Sequence, residues 1–188
     1  MVSFDPVRII HVLARHGVEF VVIGGFAAEL YEAPIRRTHD VDVTPRTTQA
    51  NLARLSAALD ELGARIRTAD VPEGLAFSHD ASSLARGSVW NLTTTAGDFD
   101  LSFRPTGTDG YDDLAVGAVV IELGAYRVAV ASLADVVRSK TAAGRAKDVA
   151  VLPELRKWMD TLKDATTHDL QERLRRALLR RGEADSAP

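Results

Sequence analysis

Residues Glu19-Phe20-Val21-Val22-Ile23 form an apolar, largely β-branched run that stops abruptly on Gly24-Gly25. A run this short, bounded by glycine, reads as a buried strand. Phe26 to Tyr31 reads as a short helix opening straight from the glycines, and Pro34 puts a loop after it. Asp40-Val41-Asp42-Val43 then alternates polar and apolar residues, the period of a half-buried strand. A strand, a glycine turn, a helix and a second strand in that order predict a mixed α/β front.

The remaining pattern fills out that front and ends in helices. Pro6 to His16 reads as a helix capped by Asp5 and stopped by Gly17, with Val7, Ile10, Val12 and Leu13 as its buried stripe. Thr47 to Leu62 is amphipathic, with Leu52, Leu55, Leu59 and Leu62 at helical spacing and Gly63 after them. Ala64 to Arg67 predicts a short strand, whereas Thr68 to Arg86 has no clear period. Ser88–Thr93 and Asp98–Phe103 predict paired strands joined at Ala96-Gly97, with Asp98 capping the turn. Val116–Leu123 and Tyr126–Val130 predict a hairpin around Gly124. Ser132 to Asp135 has the form of a capping box and starts a helix carrying Lys140. Gly144 interrupts it, and a second helix follows in which Pro153 demands a kink or restart. Thr166 or Thr167 caps a last helix through Leu170, Leu174 and Leu178, ended by Gly182. The expected organisation is a core over 1–131, a helical part over 132–182 and a disordered tail over 183–188.

In a chain of 188 residues without cysteine, thiol nucleophiles, disulfides and Cys-based zinc sites are excluded. No apolar stretch reaches the roughly 18 residues of a membrane span. The N-terminus carries Asp5 and Pro6 where a signal peptide needs a basic head and an apolar run, so a cytoplasmic protein with no membrane partner is expected. Residues 132–181 hold twelve Lys/Arg against seven Asp/Glu, a net +5, which leaves −8 for the rest of a chain whose total is −3. That asymmetry suits either a metal site facing a polyanion or simply a solvated helical face.

Three features coincide in order: the glycine pair, Asp40-x-Asp42 on the next strand, and Asp100 between Phe99 and Leu101 on a later one. Side chains two apart on a strand share a face, with Cα atoms about 6.5–7 Å apart. Carboxylates so placed repel one another unless a cation lies between them. Magnesium takes oxygen ligands and keeps positions open for phosphate oxygens. A third carboxylate completes a two-metal clamp for in-line phosphoryl displacement. The glycines let backbone approach a triphosphate, and a helix start supplies N–H donors. Each feature alone is common; the combination is what carries the reading.

The pattern V-V-I-G-G-F-A-A, then D-V-D-V, then F-D-L resembles the nucleotidyltransferase superfamily of the DNA polymerase β type. The segment from Ser132 to Asp148, with its S-K-x-A-A-G-R-x-K-D block, looks like the AbiE/MenT-type nucleotidyltransferase toxins of toxin–antitoxin systems. The resemblance spans roughly Val18 to Trp158. It implies an α+β fold: a small mixed β-sheet core with flanking helices and a helical C-terminal part across a cleft. It implies that Asp40 and Asp42 bind magnesium, with manganese as the alternative ion, and that Asp100 binds metal and helps deprotonate the incoming hydroxyl. Lys140 joins them as a catalytic residue facing the nucleotide phosphates, with Asp148 near it; Gly24, Gly25, Thr38, Arg145 and Lys147 complete the nucleotide-binding set. The implied activity is transfer of a nucleoside monophosphate from an NTP to the 3′ end of tRNA, which blocks translation and is restrained by a cognate antitoxin. Thr38 matches the position that an antitoxin kinase phosphorylates in some members; phosphate there would add about −1.5 to −2 charge beside the acidic site. Gly25 departs from the Ser of many members, which removes a phosphate-touching hydroxyl.

Other residues carry weaker signals. Arg36 and Arg37 either steer a nucleotide or RNA or simply solvate a loop. Arg173, Arg175, Arg176, Arg180 and Arg181 either grip an RNA backbone or serve as solubility charges. Ser78-His79-Asp80 cannot form a hydrolytic triad, because adjacent residues do not present the geometry. The five histidines lack zinc-ligand spacing, and Trp90 and Trp158 read as core. Against the toxin reading stand an enzyme that nucleotidylates a small hydroxylated antibiotic, and a non-catalytic RNA-binding or antitoxin-partner module.

Overall fold

The computed structural model describes residues 4–185. Helix α1 (Pro6–Arg15) starts where the Asp5 carboxylate accepts the Arg8 N–H, and it buries Ile9, Ile10, Val12 and Leu13. Val7 is only half-buried and Ile9 takes its expected place in the stripe. Strand β1 (Phe20–Ile23) is buried at every position and runs directly into α2 (Gly24–Leu30). Strand β2 (Asp40–Pro45) follows, then α3 (Gln49–Glu61), whose Thr48 cap accepts the Asn51 N–H. Next come β3 (Arg65–Ile66), α4 (Ala81–Arg86), β4 (Val89–Thr94) and β5 (Gly97–Ser102). After α5 (Tyr111–Gly117), β6 (Val119–Leu123) and β7 (Tyr126–Val130) form a hairpin. Helices α6 (Leu133–Ala143), α7 (Ala146–Thr161) and α8 (Thr167–Asp185) complete an α+β architecture.

The strands make one seven-stranded sheet in the order β3-β4-β5-β2-β1-β7-β6. It is mixed: β1–β7 and β2–β5 are parallel and the other pairs antiparallel. Alternation divides its two faces. Val41, Val43, Phe99 and Leu101 are fully buried, while Asp40, Asp42, Asp98 and Asp100 point the other way and are half-buried. Leu52, Leu55 and Leu59 of α3 join the same apolar cluster, as do Leu155, Leu174 and Leu178 from the C-terminal helices. Each fully buried leucine contributes about 1.5–3 kcal/mol. Asn51, fully buried, ties α3 to the strand ends: it accepts the Glu19 N–H and donates to the carbonyls of Glu19 and Arg46. Among the described residues no helix is long and apolar enough to cross a membrane.

Several segments differ from their sequence signals. The unpatterned stretch before Arg86 contains α4, whose capping box pairs Asp80 with Ser83. Val116 belongs to α5 rather than to a strand; it is 90% exposed, so its apolar character reports no burial. Asp112 and Asp113 in the first turn of α5 favour that helix. Pro153 does not restart α7, which is continuous; it lies on the exposed side, where the carbonyl it frees can be solvated. Gly182 does not end α8. The helix runs on to Asp185, so the expected tail begins inside it, and 186–188 lie outside the described residues. Gly182 serves close packing instead: a Cβ there would sit 2.9 Å from the Val7 side chain.

Candidate active site

The parallel pairing of β2 with β5 sets Asp40 opposite Asp98 and Asp42 opposite Asp100. Antiparallel pairing of β1 with β2 sets Ile23, the last residue before the glycines, opposite Asp42. The glycine turn and the carboxylates are therefore neighbours because of strand register. Gly24 has φ +69, and a Cβ on it would sit 2.8 Å from Asp42 Cγ and closer still to Oδ2. Only glycine lets the backbone pass this carboxylate. Gly25 is less constrained, since a Cβ there would meet Thr38 at an ordinary 3.6 Å.

Asp40, Asp42 and Asp100 each offer an oxygen within 4.8 Å of the others. Burial, then the charges of Asp40 and Asp100, push the Asp42 carboxyl up to about 7, although Lys140 and Lys147 oppose the rise. Asp100 is also raised, first by burial; Arg67 pulls it back and Asp40 raises it. A donor set of three converging carboxylates, held at an electrostatic cost, fits a hard divalent cation.

The loop before β2 is braced from two sides. The Thr38 hydroxyl donates to Asp40 Oδ1, and the Thr38 N–H donates to Glu29 Oε2 at 3.0 Å. Arg181, buried on α8, donates to the Thr38 carbonyl at 2.8 Å and pairs with Glu29 at 3.1 Å. Glu32, at φ 58, is held by Arg173 and Arg180. These arginines are fastened to the protein itself, which reduces the basic surface that the sequence offers to a polyanion.

The opposite wall comes from α6 and α7. Asp148 is 1% exposed and bridges the two, accepting from Lys140 Nζ at 2.8 Å and Arg145 Nε at 2.5 Å. Burial pushes its carboxyl up, but the Lys140 and Arg145 hydrogen bonds outweigh that and hold it below the usual range. Asp40, Asp42, Asp100, Gly24, Gly25, Thr38, Lys140, Arg145, Lys147 and Asp148 all line one cleft of about 540 Å³, with Arg36 and Arg37 on its loop side. That volume suits a small-molecule ligand of nucleotide size.

Asp98 is not a turn cap. The turn is closed by Thr94, whose hydroxyl donates to the Gly97 carbonyl and accepts the Ala96 N–H, while Asp98 pairs with Arg67 at 2.8 Å. Arg67 is the residue that sequence reasoning missed: its Nη2 lies 2.7 and 2.9 Å from the two oxygens of Asp100. Ser78, His79 and Asp80 separate as expected, with His79 bonded to Ser56 and Asp80 capping α4. Trp90 faces away from Asp100 along β4 and stacks on Phe77, and Trp158 donates to the Tyr31 carbonyl.

No protein-family model and no curated protein matches the chain. Among solved structures, the solution structure of the antibiotic-resistance factor ANT(2'')-Ia aligns over 95% of this chain and 93% of its own, at 16% identity and a TM-score of 0.47. ANT(2'')-Ia in complex with adenylyl-2''-tobramycin aligns over 90% and 94%, at 15% identity and a TM-score of 0.48. A nucleotidyltransferase candidate from Thermotoga maritima aligns over 82% and 89%, at 18% identity and a TM-score of 0.44.

Proposed function

We propose that this protein is a metal-dependent nucleotidyltransferase that moves a nucleoside monophosphate from an NTP to a hydroxyl acceptor and releases pyrophosphate. The observation that carries the reading is the convergence of Asp40, Asp42 and Asp100 on the floor of a cleft whose other wall bears Lys140, Arg145 and Lys147. Asp40, Asp42 and Asp100 would hold magnesium, or manganese in its place. The bound ion would neutralise charge on the phosphate oxygens and make the acceptor hydroxyl more acidic. Lys140, oriented by Asp148, and Lys147 face the triphosphate and offset the charge that builds on the leaving pyrophosphate. Asp100 accepts the acceptor's proton as the new O–P bond forms and the bond to pyrophosphate breaks.

For the acceptor we favour the 3′ end of tRNA, on the resemblance of the Ser132–Asp148 block to toxins of this type; translation would then be blocked and a cognate antitoxin would restrain the enzyme. Thr38 suits control by phosphorylation, because its hydroxyl already touches Asp40 and a phosphate there would repel the carboxylates. A small hydroxylated acceptor is the second reading. It is favoured by the ion pairs that occupy Arg138, Arg173, Arg180 and Arg181 and leave fewer cations for RNA.

The test is to incubate the pure protein with magnesium, each labelled NTP in turn, and either total RNA or a panel of hydroxylated antibiotics. Label in the tRNA band supports the first reading and label only in an antibiotic supports the second. If Asp42→Ala transfers label as fast as the wild type, the enzyme reading fails.

A further inference from the structure

The cleft face of the sheet carries an ordered row of chemistry that continues past the carboxylates. Asp42 lies opposite Asp100, and Asp100 lies opposite Asn91. The Arg67 N–H donates to the Asn91 carbonyl at 2.9 Å, so Arg67 extends the row by one more strand position. Arg67 stands two strands away from Asp100, and its side chain crosses the Asn91 position to reach it. There one terminal nitrogen contacts both oxygens of Asp100, at 2.7 and 2.9 Å, and the other lies 2.8 Å from Asp98. Two carboxylates of successive rows are thus pinned by one guanidinium.

The pinning is one-sided. Among the described residues Asp40 receives the Thr38 hydroxyl, and neither Asp40 nor Asp42 forms a salt bridge. Asp100 is therefore tied directly to a built-in cation, while Asp42 feels the charges of Lys140 and Lys147 without pairing with them. Each Asp100 oxygen accepts one bond from Arg67 and keeps a second lone pair for another partner.

We propose that Arg67 is a positioning residue for Asp100 that also opposes cation binding at the carboxylate cluster. It fixes Asp100 in its working orientation and weakens the hold on a cation where Asp100 contributes an oxygen. The inference rests on the nucleotidyltransferase reading of the same site and adds a residue to it. A guanidinium about 5 Å from a divalent ion weakens its binding on the order of tenfold even in a water-like dielectric. Arginine here trades cation affinity for geometry.

Two variants separate the charge from the fork. Mn²⁺ binding is followed by the electron paramagnetic resonance of the free ion, and transfer is followed with labelled NTP, magnesium and total RNA. Arg67→Gln removes the cation, so Mn²⁺ binds on the order of tenfold tighter, while transfer at saturating NTP slows about a hundredfold as Asp100 loses its orientation. Arg67→Lys keeps the charge and loses the fork, so Mn²⁺ affinity stays near that of the wild type and transfer is intermediate. A purely structural role for Arg67 predicts weaker Mn²⁺ binding in Arg67→Gln, the opposite sign. Equal or weaker binding in that variant, or wild-type transfer by Arg67→Lys, overturns the assignment. If the wild type binds no Mn²⁺, the nucleotidyltransferase reading falls and this inference with it. If the wild type binds Mn²⁺ and Arg67→Gln binds it no tighter, only the role of Arg67 is lost.

Discussion

Replacing Gly24 with alanine adds one methyl group at the point where the backbone turn passes the Asp42 carboxylate. Two costs follow from the coordinates. An L-residue held at φ +69 costs about 1–2 kcal/mol. The new Cβ would also lie 2.8 Å from Asp42 Cγ, against an optimal carbon–carbon separation of about 3.5–4.0 Å. Either the turn or the Asp42 side chain must retreat by about 1 Å. With some of that strain retained, the stability loss is about 2–3 kcal/mol, equivalent to about 5–10 °C in melting temperature for a chain of this size. On the proposed function, a displacement of about 1 Å at the Asp42 carboxylate costs about a hundredfold in transfer rate. Gly25→Ala is the internal control. Its Cβ meets Thr38 at 3.6 Å, and alanine within a helix gains about 0.5–1 kcal/mol over glycine, so that variant melts at or above the wild-type temperature. The assays are thermal unfolding by circular dichroism and transfer from labelled NTP. A Gly24→Ala protein with wild-type melting and wild-type transfer would refute the claim that this glycine makes room for Asp42.

Two further outcomes follow from the charges of the site. Asp148→Ala leaves the largely buried Lys140 without its partner, and with the Arg145 side discounted for its 62% exposure the expected loss is roughly 2–4 kcal/mol. Urea denaturation measures it, and a loss within error of zero would mean that Asp148 does not organise the α6–α7 wall. The Asp42 carboxyl, raised to about 7 by burial and then by Asp40 and Asp100, gives a signed pH dependence. Its folded value lies above the unfolded value of about 3.9, so the folded state holds the proton more tightly. In EDTA the Asp42 carboxyl should cost the protein up to roughly 1.4 kcal/mol per pH unit as the pH rises from 4 towards 7, and Asp42→Asn should remove that share of the slope, leaving only the part that comes from the raised Asp100. Urea midpoints at pH 5 and pH 7, with and without Mg²⁺, provide the measurement. An identical slope in Asp42→Asn would assign it to other groups.

The parts of the site that sequence made legible are those encoded locally. Asp40-x-Asp42 announces its shared face through alternation within one strand, and Asp100 is marked by its apolar neighbours Phe99 and Leu101. Ser132 and Asp135 declare a helix start within four residues. Arg67 was illegible for the opposite reason. Its meaning depends on the β3-β4-β5 order and on the register of Arg67, Asn91 and Asp100, and no single segment contains that information. Asp98 was misread for the same cause, because its partner is contributed by another strand. Helix α4 was missed although its signal is local: the Asp80–Ser83 box caps a helix too short to show a period. Val116 and Gly182 show residue type misleading in both directions, an apolar side chain in solvent and a glycine inside a helix.

The grip of α8 on the loop ahead of β2 has a consequence for how the protein is made. Arg181 holds the Thr38 carbonyl from 143 positions further along the chain, and Arg173 secures Glu32 across 141. During synthesis the strand bearing Asp40 and Asp42 leaves the ribosome long before these arginines exist. A nascent chain can therefore pair its central strands while the loop beside Asp40 still lacks its far support, and the acidic pocket takes its final shape only after α8 has been translated.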